Sequence, residues 1–112
     1  MSPITTHILD TAKGRPAAGV RVALERSDSQ RWNEIGEGYT DDDGRCKTLM
    51  APGTLSTGVY RITFDTAGYY EALGEETFYP EVKIAFKVAA NDEHYHVPLL
   101  LNPYGYSTYR GS

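Results

Sequence analysis

His94-Tyr-His-Val-Pro-Leu-Leu-Leu-Asn-Pro-Tyr-Gly-Tyr-Ser-Thr-Tyr-Arg-Gly-Ser112 reads as a strand, a tight turn and a second strand that runs to the chain end. Side chains alternate across a strand, so Tyr95, Val97, Leu99 and Leu101 make one apolar face and His94 and His96 point to the other. Asn102-Pro103 initiates the turn, and Tyr104, Tyr106 and Thr108 favour an extended return. Pro98 shares the His96 face and has no N–H for a ladder, which leaves a bulge or an edge position open. Chain ends ordinarily fray. Tyr109-Arg110-Gly111-Ser112 instead follows a strand that would hold it still and is dense in hydrogen-bonding groups, which predicts a tail used in chemistry or recognition.

The same alternation recurs upstream. Glu81–Val88 places Val82, Ile84, Phe86 and Val88 inward, and Val59–Asp65 does so with Tyr60, Ile62 and Phe64. Val20–Arg26 turns Val20, Val22 and Leu24 inward; Ile4–Asp10 sets Ile4, Thr6 and Ile8 against Thr5, His7 and Leu9. Trp32–Thr40 is a weaker strand because Gly36 and Gly38 interrupt it, and Cys46–Met50 is a short one. Ser27–Arg31 reads as a polar turn, and Asp41–Arg45 as a turn in which Gly44 takes positive φ. Thr66–Gly74 is the single helical segment, with Thr66 as N-cap and Gly74 just past its end. About eight short strands with turn signals every 8–14 residues predict an all-β sandwich, with residues 1–112 as one domain.

The chain has 112 residues, enough to bury on the order of 60–70% of the unfolded surface around one core. A net charge of −4 without a basic stripe argues against a nucleic-acid partner. Cys46 is the only cysteine, so no intrachain disulfide forms, and a reducing compartment suits it. Neither a signal peptide nor an apolar run of roughly 20 residues stands out, so the expectation is a cytoplasmic protein with no membrane partner.

His7, His94 and His96 all project from the face opposite the core. One outward histidine is ordinarily just solvated. Three on two strands allow one to act as a base while another orients it or donates a proton. Zinc ligation by the same three is disfavoured, because no cysteine or carboxylate stands at ligand spacing, and the expectation is no metal. Asp41-Asp42-Asp43-Gly44 lacks the spacing of a calcium loop and reads as a solvated turn. Arg45 is ambiguous in isolation, and Cys46 reads as a buried small hydrophobe rather than a nucleophile. With no Gly-x-Ser-x-Gly elbow, any hydrolysis would use water as nucleophile.

Four segments in order resemble the transthyretin-like 5-hydroxyisourate hydrolases: Thr6-His-Ile-Leu-Asp10, Asp43-Gly-Arg-Cys46, Phe78-Tyr-Pro80, and His94-Tyr-His-Val-Pro-Leu-Leu100 with the closing Tyr109-Arg-Gly-Ser112. The resemblance covers essentially the whole chain. Asn102 to Tyr109 is also similar to the close of transthyretin, a carrier that lacks the catalytic histidines and the Tyr-Arg-Gly-Ser ending.

The resemblance implies a transthyretin-like two-sheet β-sandwich with one short helix. The strands bearing His7, Arg45, His96 and Tyr109 would then lie in one sheet. It implies a homotetramer, a dimer of dimers, in which paired sheet faces enclose the site. The implied reaction opens the six-membered ring of 5-hydroxyisourate, the product of urate oxidation, to give 2-oxo-4-hydroxy-4-carboxy-5-ureidoimidazoline, without a cofactor. His7, Arg45 and His96 would be catalytic, and Tyr109, Arg110, Gly111 and Ser112 would join His7 and Arg45 in holding substrate. The resemblance leaves open which histidine is the base and what His94 does. A transthyretin-like carrier without turnover is the alternative.

Overall fold

A computed structural model describes residues 1–112. The strands are β1 (Ile4–Asp10), β2 (Arg15–Pro16), β3 (Arg21–Asp28), β4 (Arg31–Tyr39), β5 (Arg45–Cys46), β6 (Gly58–Phe64), β7 (Val82–Val88), β8 (Tyr95–Asn102) and β9 (Gly105–Thr108), with one helix, α1 (Thr66–Ala72). They form two sheets. One has the order β2-β1-β8-β9, with β5 also paired to β1; the other runs β4-β3-β6-β7. The inner faces are those expected from period two: Ile4, Ile8, Val22, Leu24, Tyr60, Ile62, Phe64 and Leu99 are fully buried between the sheets. No helix is long and apolar enough to cross a membrane.

Four local expectations need correction. The polar turn at 27–31 shrinks to Ser29-Gln30, because β3 and β4 pair through Asp28 and Arg31 and Ser29 takes the left-handed conformation, φ 56°. The strand expected at 46–50 is only Arg45–Cys46, since pairing with β1 stops there. Asp65, not Thr66, caps α1: its carboxylate accepts from the Gly68 N–H, while the buried Thr66 hydroxyl donates to the Tyr79 carbonyl. Gly74 does follow the helix end at φ 70°, with Gly74 N–H donating to the Glu71 carbonyl and Glu75 N–H to that of Tyr70.

The last correction concerns the tail. β9 ends at Thr108 rather than at the chain end, and a single bridge, His96 to Gly111, resumes the pairing beyond it. Pro98 explains the gap. Residues 96, 98, 100 and 102 turn their backbone groups toward β9, and Pro98 has no N–H to offer at its turn. Thr108 compensates by donating its hydroxyl to the Pro98 carbonyl at 2.7 Å. Pro98 is thus neither a bulge nor an edge residue; it sits inside β8, between β1 and β9.

Candidate active site

The site grows from β1 outward. On one side of β1, the turn at 41–44 delivers Arg45. The Asp41 carboxylate accepts the N–H groups of Asp43 at 2.9 Å and Arg45 at 3.0 Å, and the Gly44 N–H donates to the Asp41 carbonyl at 2.8 Å. These hydrogen bonds, that of Arg45 first, hold the Asp41 carboxyl below its ordinary range. Gly44, at φ 76°, lets the turn dock: its carbonyl accepts the Ile8 N–H at 2.8 Å, and a Cβ there would sit 2.5 Å from the Ile8 carbonyl oxygen. The resulting register puts Arg45 opposite His7 and Cys46 opposite Thr6. Cys46 is buried, while Arg45 is exposed and makes no ion pair.

On the other side, β8 runs parallel to β1, with Thr5 beside His96 and His7 beside Pro98. Thr5 Oγ1 lies 2.9 Å from His96 Nδ1 and 3.0 Å from His94 Nε2, buried beneath the two rings. The Gly111 N–H donates to the His96 carbonyl at 2.8 Å. A Cβ on Gly111 would fall 2.6 Å from His96 Cδ2, so only glycine lets the tail lie this close. Burial pushes the His96 pKa down, and the charge of Arg45 and the neighbouring His94 and His7 rings push the same way. A hydrogen bond with the Thr5 backbone opposes them. The balance favours the neutral imidazole, and Nε2 is the ring nitrogen that makes no hydrogen bond within the chain.

His7, Arg45, His96 and Gly111 therefore meet on the outer face of one sheet. Tyr109 is exposed just past β9, and the continuing register sets it across from Pro98. Ser112 is exposed at the end of the chain. Arg110 faces elsewhere: it bonds Glu93 at 2.9 Å and stacks over the Tyr95 ring at 4.6 Å. With Tyr109 it borders a cleft of about 260 Å³ at the open edge between the sheets, opposite Ile84 and Phe86. No three His, Cys, Asp or Glu side chains gather at metal-binding spacing. The sequence alone does not single out Thr5 as functional and shows Asp41 only as part of a solvated turn. The signal for Thr5 was present, since period two places it on the same face as His7.

Chemically, a neutral imidazole with one free nitrogen beside an unpaired guanidinium can take a proton from water and neutralise an oxyanion. The HIUase/Transthyretin family profile matches residues 4–111. The chain belongs to the HIUase/Transthyretin family. Within that family it is 46% identical to the mouse protein named 5-hydroxyisourate hydrolase, over 99% of this chain and 96% of the relative. The solved 5-hydroxyisourate hydrolase of Klebsiella pneumoniae superposes with a TM-score of 0.85 at 35% identity, covering 97% of this chain and 98% of that one. Transthyretin of Sparus aurata superposes with a TM-score of 0.92 at 31% identity, covering 99% and 97%. The HIUase/Transthyretin backbone thus accommodates both kinds of protein, and side chains must distinguish them.

Proposed function

We propose that the chain hydrolyses 5-hydroxyisourate to 2-oxo-4-hydroxy-4-carboxy-5-ureidoimidazoline, a step of urate breakdown, on the outer face that carries His7, Arg45 and His96. The observation that carries this reading is 46–47% identity to proteins named 5-hydroxyisourate hydrolase along nearly the full chain, together with the convergence of those three residues. His96 Nε2 deprotonates the attacking water, favoured by its suppressed charge. Arg45 stabilises the oxyanion on the ring carbonyl. His7, beside Arg45, orients the substrate, and His96 returns its proton from Nε2 to the leaving nitrogen. Tyr109 to Ser112 border the site, Gly111 by its contact with His96 and Arg110 from the flanking cleft.

A flat sheet face excludes little water, so the proposal includes a homotetramer built as a dimer of dimers. β7 and β9 leave both sheets with unpaired edges, suited to extension across a two-fold axis. The exposed Phe78, Tyr104 and Tyr109 supply apolar area for the contacts. Two outer sheet faces then close over one another. The proposal also places the enzyme in the cytoplasm, where its buried free Cys46 stays reduced; cell fractionation tests that part.

The experiment is to mix purified protein with freshly generated 5-hydroxyisourate and follow its decay and product. Decay above the spontaneous rate is expected. Binding without acceleration would instead mark a carrier.

A further inference from the structure

Thr5 has one hydroxyl proton and touches two imidazoles. A hydroxyl of this kind donates to one nitrogen and accepts from the other, so two neutral rings cannot choose their tautomers independently. The parallel β1–β8 register places Thr5 beside His96, and the i, i+2 spacing of His94 brings the second ring alongside, with centroids 6.4 Å apart and planes 20° from parallel. Thr5 is buried and His94 is exposed. The charged and titratable side chains that act on His96 are Arg45, His94 and His7, all of which disfavour a second positive charge there; Glu93 is engaged with Arg110. An imidazolium at His96 is partly buried and faces the Arg45 charge, whereas one at His94 stands in solvent.

We infer that Thr5 is a positioning residue that holds His96 as the Nδ1–H tautomer and links it to His94 as a proton outlet. In this arrangement His96 Nδ1–H donates to Thr5 Oγ1, and Thr5 O–H donates to His94 Nε2. When His96 Nε2 takes a proton from water, the Nδ1 proton passes to Thr5 and the Thr5 proton to His94. His96 is then neutral and His94 carries the charge. The reverse transfer returns the proton to His96 Nδ1 as Nε2–H is given to the leaving nitrogen, so no proton is gained or lost over the cycle. This rests on the assignment of His96 as base in the proposed hydrolysis. Its test includes a readout that needs no substrate.

The ¹⁵N chemical shifts of His94 and His96, measured in the full-length protein above neutral pH, report the tautomers. Both rings are expected as Nδ1–H, with Nε2 unprotonated, whereas free histidine prefers the opposite. Thr5→Val preserves shape and removes the hydroxyl; it is expected to release His96 from that tautomer and lower kcat/KM about a hundredfold, the lower end of what a positioned acid–base group supplies. Thr5→Ser restores both. His94→Ala is expected to give a smaller loss, with water taking the hydroxyl proton. An Nε2–H tautomer at His96 in the parent protein overturns the inference, as does Thr5→Val with unchanged shifts and rate, or His94→Ala with the parent's rate. Those results leave the hydrolase reading intact if the parent turns substrate over; a parent without turnover but with the expected tautomers overturns that reading instead.

Discussion

Gly111 is the most tightly constrained residue of the tail, because its backbone lies where any side chain would enter the His96 ring. Gly111→Ala is expected to displace tail and ring from each other and to lower kcat/KM on the order of 10²-fold, as small misplacements at reacting groups do. The melting temperature should move little, since one bridge near the chain end is lost; an unchanged rate would separate the tail from the chemistry. His96 makes a second residue-scale prediction. Its pKa is lowered, so the ring stays neutral below the ordinary histidine value. Protonation removes the base, so activity is lost as pH falls, with a midpoint in kcat/KM below about 6.5. A midpoint above neutrality would contradict this. Period two sets His7 and His96 on the outer face, whereas Arg45, at the end of a turn, is marked only by the family motif. Thr5 was visible on that face but carried no chemistry of its own until β8 was placed beside it. The orientation of Arg110 was not legible, because it depends on Glu93 and Tyr95 across the sheet edge.

The clearest lesson among the elements comes from β4. Glycine has low strand propensity, so Gly36 and Gly38 made this segment look weak, yet it pairs with β3 over its full length around one irregularity at Leu24/Glu25. The glycines serve a neighbour. A Cβ on Gly36 would lie 1.9 Å from the Leu49 carbonyl oxygen, and one on Gly38 would lie 2.9 Å from Cys46 Sγ, so the chain after β5 crosses directly over β4. Gly36→Ala is expected to destabilise the fold by about 1–3 kcal/mol or more, the range for overpacking, measured by urea unfolding. A neutral result would mean the crossing has slack. Such a crossing joins segments far apart in pairing, and periodicity within one strand carries no trace of it. The helix cap shows the same limit at shorter range. Asp65 and Thr66 are both good caps, and the choice fell to Asp65 because the Thr66 hydroxyl is drawn to the Tyr79 carbonyl.

For the molecule as a whole, the sandwich was legible because alternation alone assigns most of its inner faces. The parallel pairing of β1 with β8, which assembles the site, was not, since residues about 90 apart in sequence meet there. A shared backbone does not separate hydrolase from carrier, as the likeness to transthyretin shows. An enclosed site requires more than one copy. Multi-angle light scattering is expected to give four times the 12.4 kDa chain mass, and a monomer at working concentration would leave the sheet face open and the proposed enclosure wrong. The measurement that tests the central claim most directly is kcat/KM for 5-hydroxyisourate in the parent protein beside His96→Ala and Arg45→Ala, with folding checked by circular dichroism. Acceleration by the parent and a fall of about 10²–10³-fold in each folded variant is the predicted result, in line with loss of a base or an oxyanion donor. Parent-like turnover in either variant would show that the outer face of this sheet is not where the reaction occurs.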